Sequence, residues 1–510
     1  MDSIGLLYPS PQKAAGVRDQ PPAYFRDLNL DQIVDWITAS KQDYDLKPDY
    51  YTAVQDEETI RFRQEIVRDL MTETTLTKMQ TFAAQMVILR RYQKLSSEID
   101  HQNHREGWFL EAALVYVRSV LQLEQDLSSA DLQSRGLLAF RQILGTYTAS
   151  SEFQRLRDEA EQLKKDLSAV RYCVLIKDTT VKVRPYDGET DYSIEVEKTF
   201  EKFKQGAVKD YLVKLNIVSS MNHVEAQILD LVARLNPELF ERLHRFCAEH
   251  SRFMADFILT FDREMQFYVA YLETILPLMK GGLKFCLPAV SIRSKEVLAA
   301  EAFDLALAIQ LRGEIARIVP NDFQLSGNER VIIVSGPNQG GKTTFARMFG
   351  QLHHLACLGL PVPGREAHLF CFDTIFTHFE QEEDIRKLRG KLNEELIRMH
   401  QIFEQATPNS LLILNEPFNS TTLNDALFLS HKILQRILEL DSLCVWVTFL
   451  TELASASEKT VSMVSTVDAE DTSRRTFRIL RRPADGLAFA ISIAEKHRLT
   501  YRQLKERIPS

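Results

Sequence analysis

The segment Val331-Ile-Ile-Val-Ser-Gly-Pro-Asn-Gln-Gly-Gly-Lys-Thr-Thr344 constrains the fold more than any other part of the chain. Its apolar β-formers lead into Gly336, and a G-x-x-x-x-G-K-T pattern ends at Thr343. The residues after Thr343 begin a helical pattern. A strand, a glycine-rich loop and a helix N-terminus in this order predict a phosphate-binding loop, whereas a chance glycine-rich turn would lack the two flanks.

The chemistry of such a loop assigns a role to each of its polar residues. Lys342 supplies a cation for the β- and γ-phosphates, and the Thr343 hydroxyl is a hard oxygen ligand for Mg²⁺. We therefore expect ATP and Mg²⁺ as cofactors. The predicted nucleotide-binding residues are Gly336, Pro337, Asn338, Gln339, Gly340, Gly341, Lys342, Thr343 and Thr344.

A second apolar run, Ser410-Leu-Leu-Ile-Leu414, ends at Asn415 and Glu416. A phosphate-binding loop needs an acidic residue at the end of a neighbouring strand, where it orients water and helps to hold the metal. Glu416 is the candidate general base beside the catalytic Lys342. The alternative is that Glu416 is an ordinary surface carboxylate after a strand.

Composition describes an ordinary globular protein. The 510 residues predict two to four domains, and 45% hydrophobic and 26% charged residues are usual values. The net charge of −8 does not indicate nucleic-acid binding, so any contact with DNA must come from local basic patches. The six cysteines form no C-x-x-C pair and are interpreted as free thiols. No stretch approaches the roughly 20 apolar residues of a membrane span, so we expect a cytoplasmic protein with no membrane partner.

The first half of the chain has a helical pattern. It runs from Asp27 to about Asp166, with breaks at residues 128–134 and 146–151. A small β insertion is predicted at about 171–197, with strands at 172–176, 180–184 and 192–196. An aromatic stripe from Phe253 to Ile275 then predicts a long helix with a buried face, ended by Pro277 and Gly281-Gly282.

The second half alternates strands and helices, so a domain boundary is predicted near residue 284. The expected fold is multidomain, with a helical core and lever domain at 1–283 and an α/β phosphate-binding domain at 284–510. Continuous apolar runs predict strands covered on both faces. These strands are 331–335, 371–376, 410–414, 443–448 and 475–480.

Several segments resemble the MutS family of DNA mismatch-repair ATPases. The phosphate-binding loop is close to the Walker A loop of that family, and Asn415-Glu-Pro-Phe-Asn-Ser-Thr-Thr-Leu-Asn-Asp425 is similar to its Walker B and the signature loop that follows. Further similar segments are 258–265, 318–323, 358–363 and 372–378. The resemblance implies a helical core with levers joined to an ABC-type ATPase domain, and a homodimer closing around two ATP molecules.

Two consequences of the resemblance concern the signature loop and the DNA. Ser420, Thr421 and Thr422 fall where the family reaches the γ-phosphate of the partner subunit; the alternative is that Ser420 or Thr421 only caps the helix from Leu423. The family further implies a clamp acting on mismatched, branched or otherwise unusual DNA in repair or recombination.

The sequence also departs from the family pattern. Asn415 stands where the family has the Walker B aspartate, so the resemblance implies that it joins Thr343 as a metal ligand. Phe449 stands where the family has a histidine that senses the γ-phosphate. The first change removes a negative charge and the second removes a hydrogen-bond donor, so hydrolysis is expected to be slow. No domain with a Phe-x-Glu wedge is recognised, which suggests a shortened form without the mismatch-recognition domain. Phe323 is a guess for the residue that stacks on adenine.

Basic residues around the β insertion are the candidate DNA contacts. They are Lys177, Lys182, Arg184, Lys198, Lys202, Lys204, Lys209 and Lys214, and acidic residues interleave with them. Lysines of this kind would give salt-dependent contacts with the DNA backbone, and a solvated helix face is the alternative. Two other functions remain open: a protein that ATP locks in one state with little turnover, and a MutS relative acting on the ribosome or RNA.

Overall fold

The computed structural model describes residues 5–10, 17–177, 180–189, 221–379, 390–468, 474–484 and 505. The chain divides into two compact units, the first formed by residues 1–73, 133–137 and 263–510 and the second by residues 74–132 and 138–262. The N-terminal residues thus belong to the same compact unit as the phosphate-binding loop. The boundary predicted near residue 284 stays a prediction.

Within the described residues, the α-helices are α1 (Tyr24–Asp27), α2 (Leu30–Thr38), α3 (Lys47–Tyr51), α4 (Glu57–Leu70), α5 (Glu73–Glu98), α6 (Gln102–Ser129), α7 (Arg135–Thr148), α8 (Ser151–Ala169), α9 (His223–Leu235), α10 (Pro237–Glu249), α11 (Asp256–Lys280), α12 (Leu305–Gln310), α13 (Lys342–Cys357), α14 (Lys391–Gln405) and α15 (Leu423–Leu440). The strands are β1 (Tyr172–Lys177), β2 (Thr180–Pro185), β3 (Phe285–Cys286), β4 (Ala289–Ser291), β5 (Val297–Ala302), β6 (Asn321–Leu325), β7 (Val331–Ser335), β8 (Val362–Pro363), β9 (Glu366–Phe370), β10 (Ile375–His378), β11 (Leu411–Asn415), β12 (Leu443–Val447), β13 (Thr460–Val467) and β14 (Arg475–Arg481).

The second unit is mainly helical, as predicted. Helix α6 packs against α8, α9 and α10. The predicted break before α8 is confirmed, and its cause is visible because the Ser150 side chain accepts a hydrogen bond from the Phe153 N–H. Helix α9 likewise begins with a capping box between Asn222 and Glu225.

Aromatic side chains form much of the core of the second unit. The rings of Phe140 and Phe261 stack with their centroids 3.8 Å apart, and Phe82 meets Phe261 edge-on. The aromatic stripe is therefore core, as predicted. One detail was wrong: Pro277 does not end α11, because it lies within the last turn and the helix continues to Lys280.

A two-stranded antiparallel hairpin of β1 and β2 belongs to the second unit. Its register pairs Leu175 with Lys182 and Lys177 with Thr180. The first two strands of the predicted β insertion are confirmed. The third, at residues 192–196, and the lysines from Lys198 to Lys214 lie outside the described residues.

The first unit is built on a sheet with strand order β10-β11-β12-β7-β13-β14. The first five strands of this order are parallel, and β14 pairs antiparallel with β13. Separate short sheets have the orders β4-β9-β5-β6 and β3-β8. One prediction was wrong here: residues 371–376 are not a single strand, since β9 ends at Phe370 and β10 begins at Ile375.

Helices cover both faces of the main sheet, which explains its continuous apolar strands. On one face, Ile333, Leu412 and Trp446 are buried with residues of α14 and α15. On the other face, α13 approaches β11 so closely that a Cβ at Gly350 would lie 2.6 Å from Ile413 Cδ1. The sheet therefore fixes the N-terminus of α13 at the carboxyl ends of β7 and its neighbours, where ligands bind in open α/β sheets.

Two further observations bear on the predictions from composition. Cys357, Cys371 and Cys444 are buried free thiols, and Cys173, Cys247 and Cys286 are free and half-buried. No helix in the described ranges combines the length and apolar character needed to cross a membrane.

The stacked pair in the second unit gives a stability prediction. We expect Phe261→Ala to lower the free energy of unfolding by about 3–5 kcal/mol, because it leaves a cavity against Phe140. Phe428→Ala is the matched control, since Phe428 is 64% exposed and should change stability by no more than about 0.5 kcal/mol. Urea unfolding followed by circular dichroism measures both. Equal midpoints for the two variants would show that the stack is not a core contact.

Candidate functional site

The loop between β7 and α13 contains residues with positive φ, a conformation that favours glycine. Gly336 and Gly341 have φ values of +118° and +89°, and Gln339 has φ of +60°. A Cβ at Gly336 would lie 2.8 Å from the Ser465 carbonyl oxygen, and one at Gly340 would lie 2.2 Å from Ser465 Oγ. The glycines of the loop are therefore required by left-handed backbone and by close contact with β13.

Lys342, the first residue of α13, has its ammonium beneath this loop. Its side chain is only 5% exposed, and Nζ donates to the carbonyl oxygens of Gly336 and Pro337 at 3.0 and 3.2 Å and to Asn338 Oδ1 at 3.2 Å. Glu416 Oε1 lies 3.7 Å from the same nitrogen. Burial lowers the pKa of Lys342 from its ordinary value, and the Glu416 carboxylate offsets part of that effect.

The two candidate metal ligands meet directly. The Thr343 hydroxyl donates to Asn415 Oδ1 at 2.9 Å, which joins the start of α13 to the end of β11. Glu416 follows Asn415 with φ of +51°, and its N–H donates to the Val447 carbonyl oxygen at 2.8 Å. This left-handed residue ends the strand and allows the Glu416 side chain to face Lys342.

The signature loop is held by contacts within the chain. Glu395 Oε2 accepts from the Phe418 N–H at 3.0 Å and from Ser420 Oγ at 3.4 Å. The expected cap was assigned to the wrong residue: Thr422, and not Ser420 or Thr421, accepts from the Asp425 N–H and caps α15. Ser420 and Thr421 are thus not needed as the cap.

A cleft of about 860 Å³ opens over the loop. Its wall contains residues 338–344, Glu416 and, from the opposite side, Arg475 and Phe477. Arg475 Nε donates to the Asn338 carbonyl oxygen at 3.1 Å, and Phe477 is the nearest neighbour of a Cβ placed on Gly341, at 3.7 Å. All the predicted loop residues from Asn338 to Thr344 therefore line one cleft, and Gly336 and Pro337 hold its lysine.

Some aromatic and polar residues lie elsewhere than the sequence predicted, and others that contact the loop were not predicted. The guess of Phe323 for adenine stacking is wrong, because Phe323 is 3% exposed and packs against Phe345 and Phe349 in the core. Phe449 follows β12 and is 51% exposed. Ser465 and Arg475 were missed, since their contact with the loop depends on strand pairing and not on any local motif.

A further group of possible metal ligands occurs in the second unit, where one donor atom each of Glu159, Glu249 and His250 lie within 4.8 Å of one another. His250 Nε2 and Glu159 Oε2 are hydrogen-bonded at 2.8 Å, which accounts for the closeness of this pair without a metal.

Comparison with known proteins relates the second half of the chain to one family. The family described as MutS domain V matches residues 332–501. The DNA mismatch repair protein MSH3 of Eremothecium gossypii is 34% identical over 140 residues, which are 27% of this chain and 14% of that protein. The DNA mismatch repair protein MutS of Syntrophomonas wolfei is 31% identical over 175 residues, 34% of this chain and 20% of that protein.

A human relative extends the match further. The DNA mismatch repair protein Msh3 of Homo sapiens is 28% identical over 236 residues, which are 46% of this chain and 20% of that protein. The chain thus covers only a fraction of the length of these curated relatives. The family match over residues 332–501 contains the loop, Lys342, Thr343 and Glu416. Residues 332–501 of this chain are therefore related to MutS domain V, the part of the family that these relatives share with it.

Proposed function

We propose that this chain binds ATP with Mg²⁺ through an ABC-type ATPase domain and acts as a homodimeric clamp on mismatched, branched or otherwise unusual DNA, in repair or recombination. The observation that carries the proposal is the buried Lys342 ammonium, held beneath a glycine-rich loop and 3.7 Å from the Glu416 carboxylate. Relatives named DNA mismatch repair proteins support the DNA part of the proposal. The cytoplasmic location is part of the same proposal.

The cleft fits a nucleoside triphosphate in shape and charge. Its volume of about 860 Å³ lies within the usual range for ligand sites. Gly336, Gly340 and Gly341 carry no side chains, so the backbone N–H groups of the loop are accessible to phosphates. The cations Lys342 and Arg475 both contribute positive charge to the cleft. Thr343 Oγ1 and Asn415 Oδ1 are hard oxygen donors suited to Mg²⁺.

Each residue of the site has one task in the proposed reaction. With ATP bound, the Lys342 ammonium would exchange its carbonyl partners for β- and γ-phosphate oxygens, and Thr343 and Asn415 would hold the metal. Bound Mg²⁺ would neutralise charge developing on the phosphates. Glu416 orients a water molecule and accepts its proton. Because Asn415 carries no charge, we expect weak metal binding and slow turnover, which favours a clamp that spends much of its cycle with ATP bound.

That slow turnover also supports the second candidate function, a protein in which bound ATP locks an interaction with little hydrolysis. The specific observation in its favour is Asn415, whose neutral amide bonds to Thr343 where a carboxylate would strengthen the metal site. The two functions differ in turnover and not in nucleotide affinity.

Replacing the proposed base separates binding from turnover. We expect Glu416→Gln to lower the rate of phosphate release by about 100-fold or more while ATP affinity is retained, since general-base catalysis contributes at least that factor. Asn415→Asp should raise the rate because it restores a charged metal ligand. Isothermal calorimetry measures affinity, and a phosphate-release assay measures turnover.

Glu458→Gln is the control for that experiment, because Glu458 is an exposed carboxylate that does not line the cleft. It should match the unmodified protein in both assays. Unchanged turnover in Glu416→Gln would remove this residue as the base. Absence of any heat on titrating well-folded protein with ATP and Mg²⁺ would contradict the proposed function itself.

The β1–β2 hairpin supports the proposed DNA contact. Its register places Lys177, Lys182 and Arg184 on one face, because Lys182 is opposite Leu175 and side chains two residues apart share a face. Both lysines are exposed. Arg184 forms an ion pair with Glu189 at 2.5 Å, so the two lysines are the better candidates for phosphates. Cations that all lie on one face of a hairpin can contact a nucleic-acid backbone together, whereas cations spread over both faces cannot.

Removing the hairpin lysines should weaken DNA binding at low salt and flatten its salt dependence. For Lys177→Ala combined with Lys182→Ala, we expect the slope of log affinity against log salt to fall by about 2, one for each lost phosphate contact. The measurement is a mobility-shift or anisotropy titration of branched DNA at several salt concentrations.

Lys432→Ala combined with Arg436→Ala makes the same charge change on exposed positions of α15 and should leave the slope as it is. If both double variants gave the same slope as the unmodified protein, the hairpin would not be the DNA contact. Binding that varies with neither salt nor DNA structure would contradict the clamp.

A further inference from the structure

Residues 5–8 pack inside the first unit although they belong to no helix or strand. The side chains of Leu6 and Leu7 are only 1% and 2% exposed. Gly5 precedes them, and a Cβ placed on it would lie 3.1 Å from Glu264 Oε2, so a larger residue would press on that carboxylate. A buried segment outside the secondary structure has to find other partners for its main-chain N–H and C=O groups.

Side chains of α4 and α11 bind the main chain of Leu6 and Leu7. The Leu6 N–H donates to Glu264 Oε2, and the Leu7 N–H donates to the same oxygen at 3.3 Å. Tyr268 Oη donates to the Leu6 carbonyl oxygen at 2.6 Å, and Arg63 Nε donates to the Leu7 carbonyl oxygen at 2.8 Å. All four main-chain polar groups of two consecutive residues are thus bound by side chains. In peptide recognition, such main-chain bonds contribute affinity and side-chain pockets contribute specificity.

Arg63 depends on this segment for part of its surroundings. Its side chain is fully buried, and Nη1 donates to the Leu358 carbonyl oxygen at 3.3 Å. The guanidinium carbon lies 5.0 Å from the ring centroid of Tyr8 and 5.3 Å from that of Phe267. Removing the segment would take a carbonyl oxygen and an aromatic ring from a buried cation, which is costly. The vacated site would therefore favour another peptide carbonyl at the same position.

We infer that Arg63, Glu264 and Tyr268 form a peptide-binding site, and that residues 5–8 are an intramolecular ligand that a peptide of the same chemistry can replace. The ligand class is an uncharged peptide with a small residue, two large aliphatic residues and an aromatic residue in that order. The carboxylate accepts from two consecutive N–H groups, and the hydroxyl and the guanidinium donate to two consecutive carbonyls. This inference does not depend on nucleotide or DNA binding.

A labelled peptide tests the site in the full chain. Leu6→Asp combined with Leu7→Asp should expel the segment, because unpaired carboxylates are not tolerated at buried positions. The probe is an acetylated, fluorescent peptide of sequence Gly5-Leu-Leu-Tyr-Pro-Ser10, and its binding is measured by fluorescence anisotropy. We expect this double variant to bind the peptide with a dissociation constant of about 0.1 mM, since two leucines are buried at the cost of ordering a short chain. The unmodified protein should bind at least about tenfold more weakly, because its own tethered segment competes at an effective concentration of about mM.

Leu235→Asp combined with Leu480→Asp is the matched control, because it makes the same change at leucines that are 39% and 49% exposed. It should bind the peptide as weakly as the unmodified protein does. A peptide that itself carries Leu6→Asp and Leu7→Asp should not bind to the protein variant with those two changes. Adding Glu264→Ala to that variant should abolish binding of the original peptide, because it removes the acceptor of both N–H groups. Non-specific hydrophobic adsorption would survive this last change.

Circular dichroism establishes whether the segment is a ligand or part of the core. We expect the variant with Leu6→Asp and Leu7→Asp to keep the helical signal of the unmodified protein and to unfold cooperatively. Loss of the folded state would overturn the inference, since residues 5–8 would then be an indispensable part of the core. A folded variant that binds the peptide no more tightly than the unmodified protein would overturn it as well, and so would binding that persists after Glu264→Ala.

Discussion

Much of the nucleotide-site region is arranged around one buried ammonium group. Lys342 can remain charged at 5% exposure only because backbone carbonyls, Asn338 and Glu416 surround its nitrogen. Those carbonyls point inward because the loop turns through left-handed conformations, and the turn is possible only with glycine against Ser465 of β13. A site that holds a cation in this way is prepared for an anion with several oxygens.

Much of this site could be predicted from the sequence. The loop between β7 and α13 and the end of β11 each carry their chemistry in consecutive residues, so pattern and flanks identified Lys342, Thr343 and Glu416. The aromatic stripe of α11 was also predictable because its period is that of a helix. The prediction failed at residues 371–376, where a short apolar segment could be one strand or the connection between two. There the chain leaves one sheet after β9 and enters another at β10.

Other parts could not be predicted because they depend on tertiary neighbours. Phe323 precedes the loop strand in the sequence, yet the side chains of Phe345 and Phe349 enclose it in the core. Phe477 and Arg475 enter the cleft because β14 pairs with β13, and no sequence motif predicts that pairing. Asp27 is more distant still, and only the packing of α1 within the first unit brings its carboxylate to Thr377 and Arg398.

The Glu395 contact of the signature loop has a consequence for assembly. A serine hydroxyl carries a single proton, so Ser420 can donate it to Glu395 or to a phosphate of another copy, but not to both. In the proposed dimer, a phosphate of the other copy that took the Ser420 proton would replace the hydrogen bond from Ser420 to Glu395 and leave the one from the Phe418 N–H. In the proposed dimer, the hydrogen bond from Ser420 to Glu395 would therefore be a contact of the separate subunit that association has to replace.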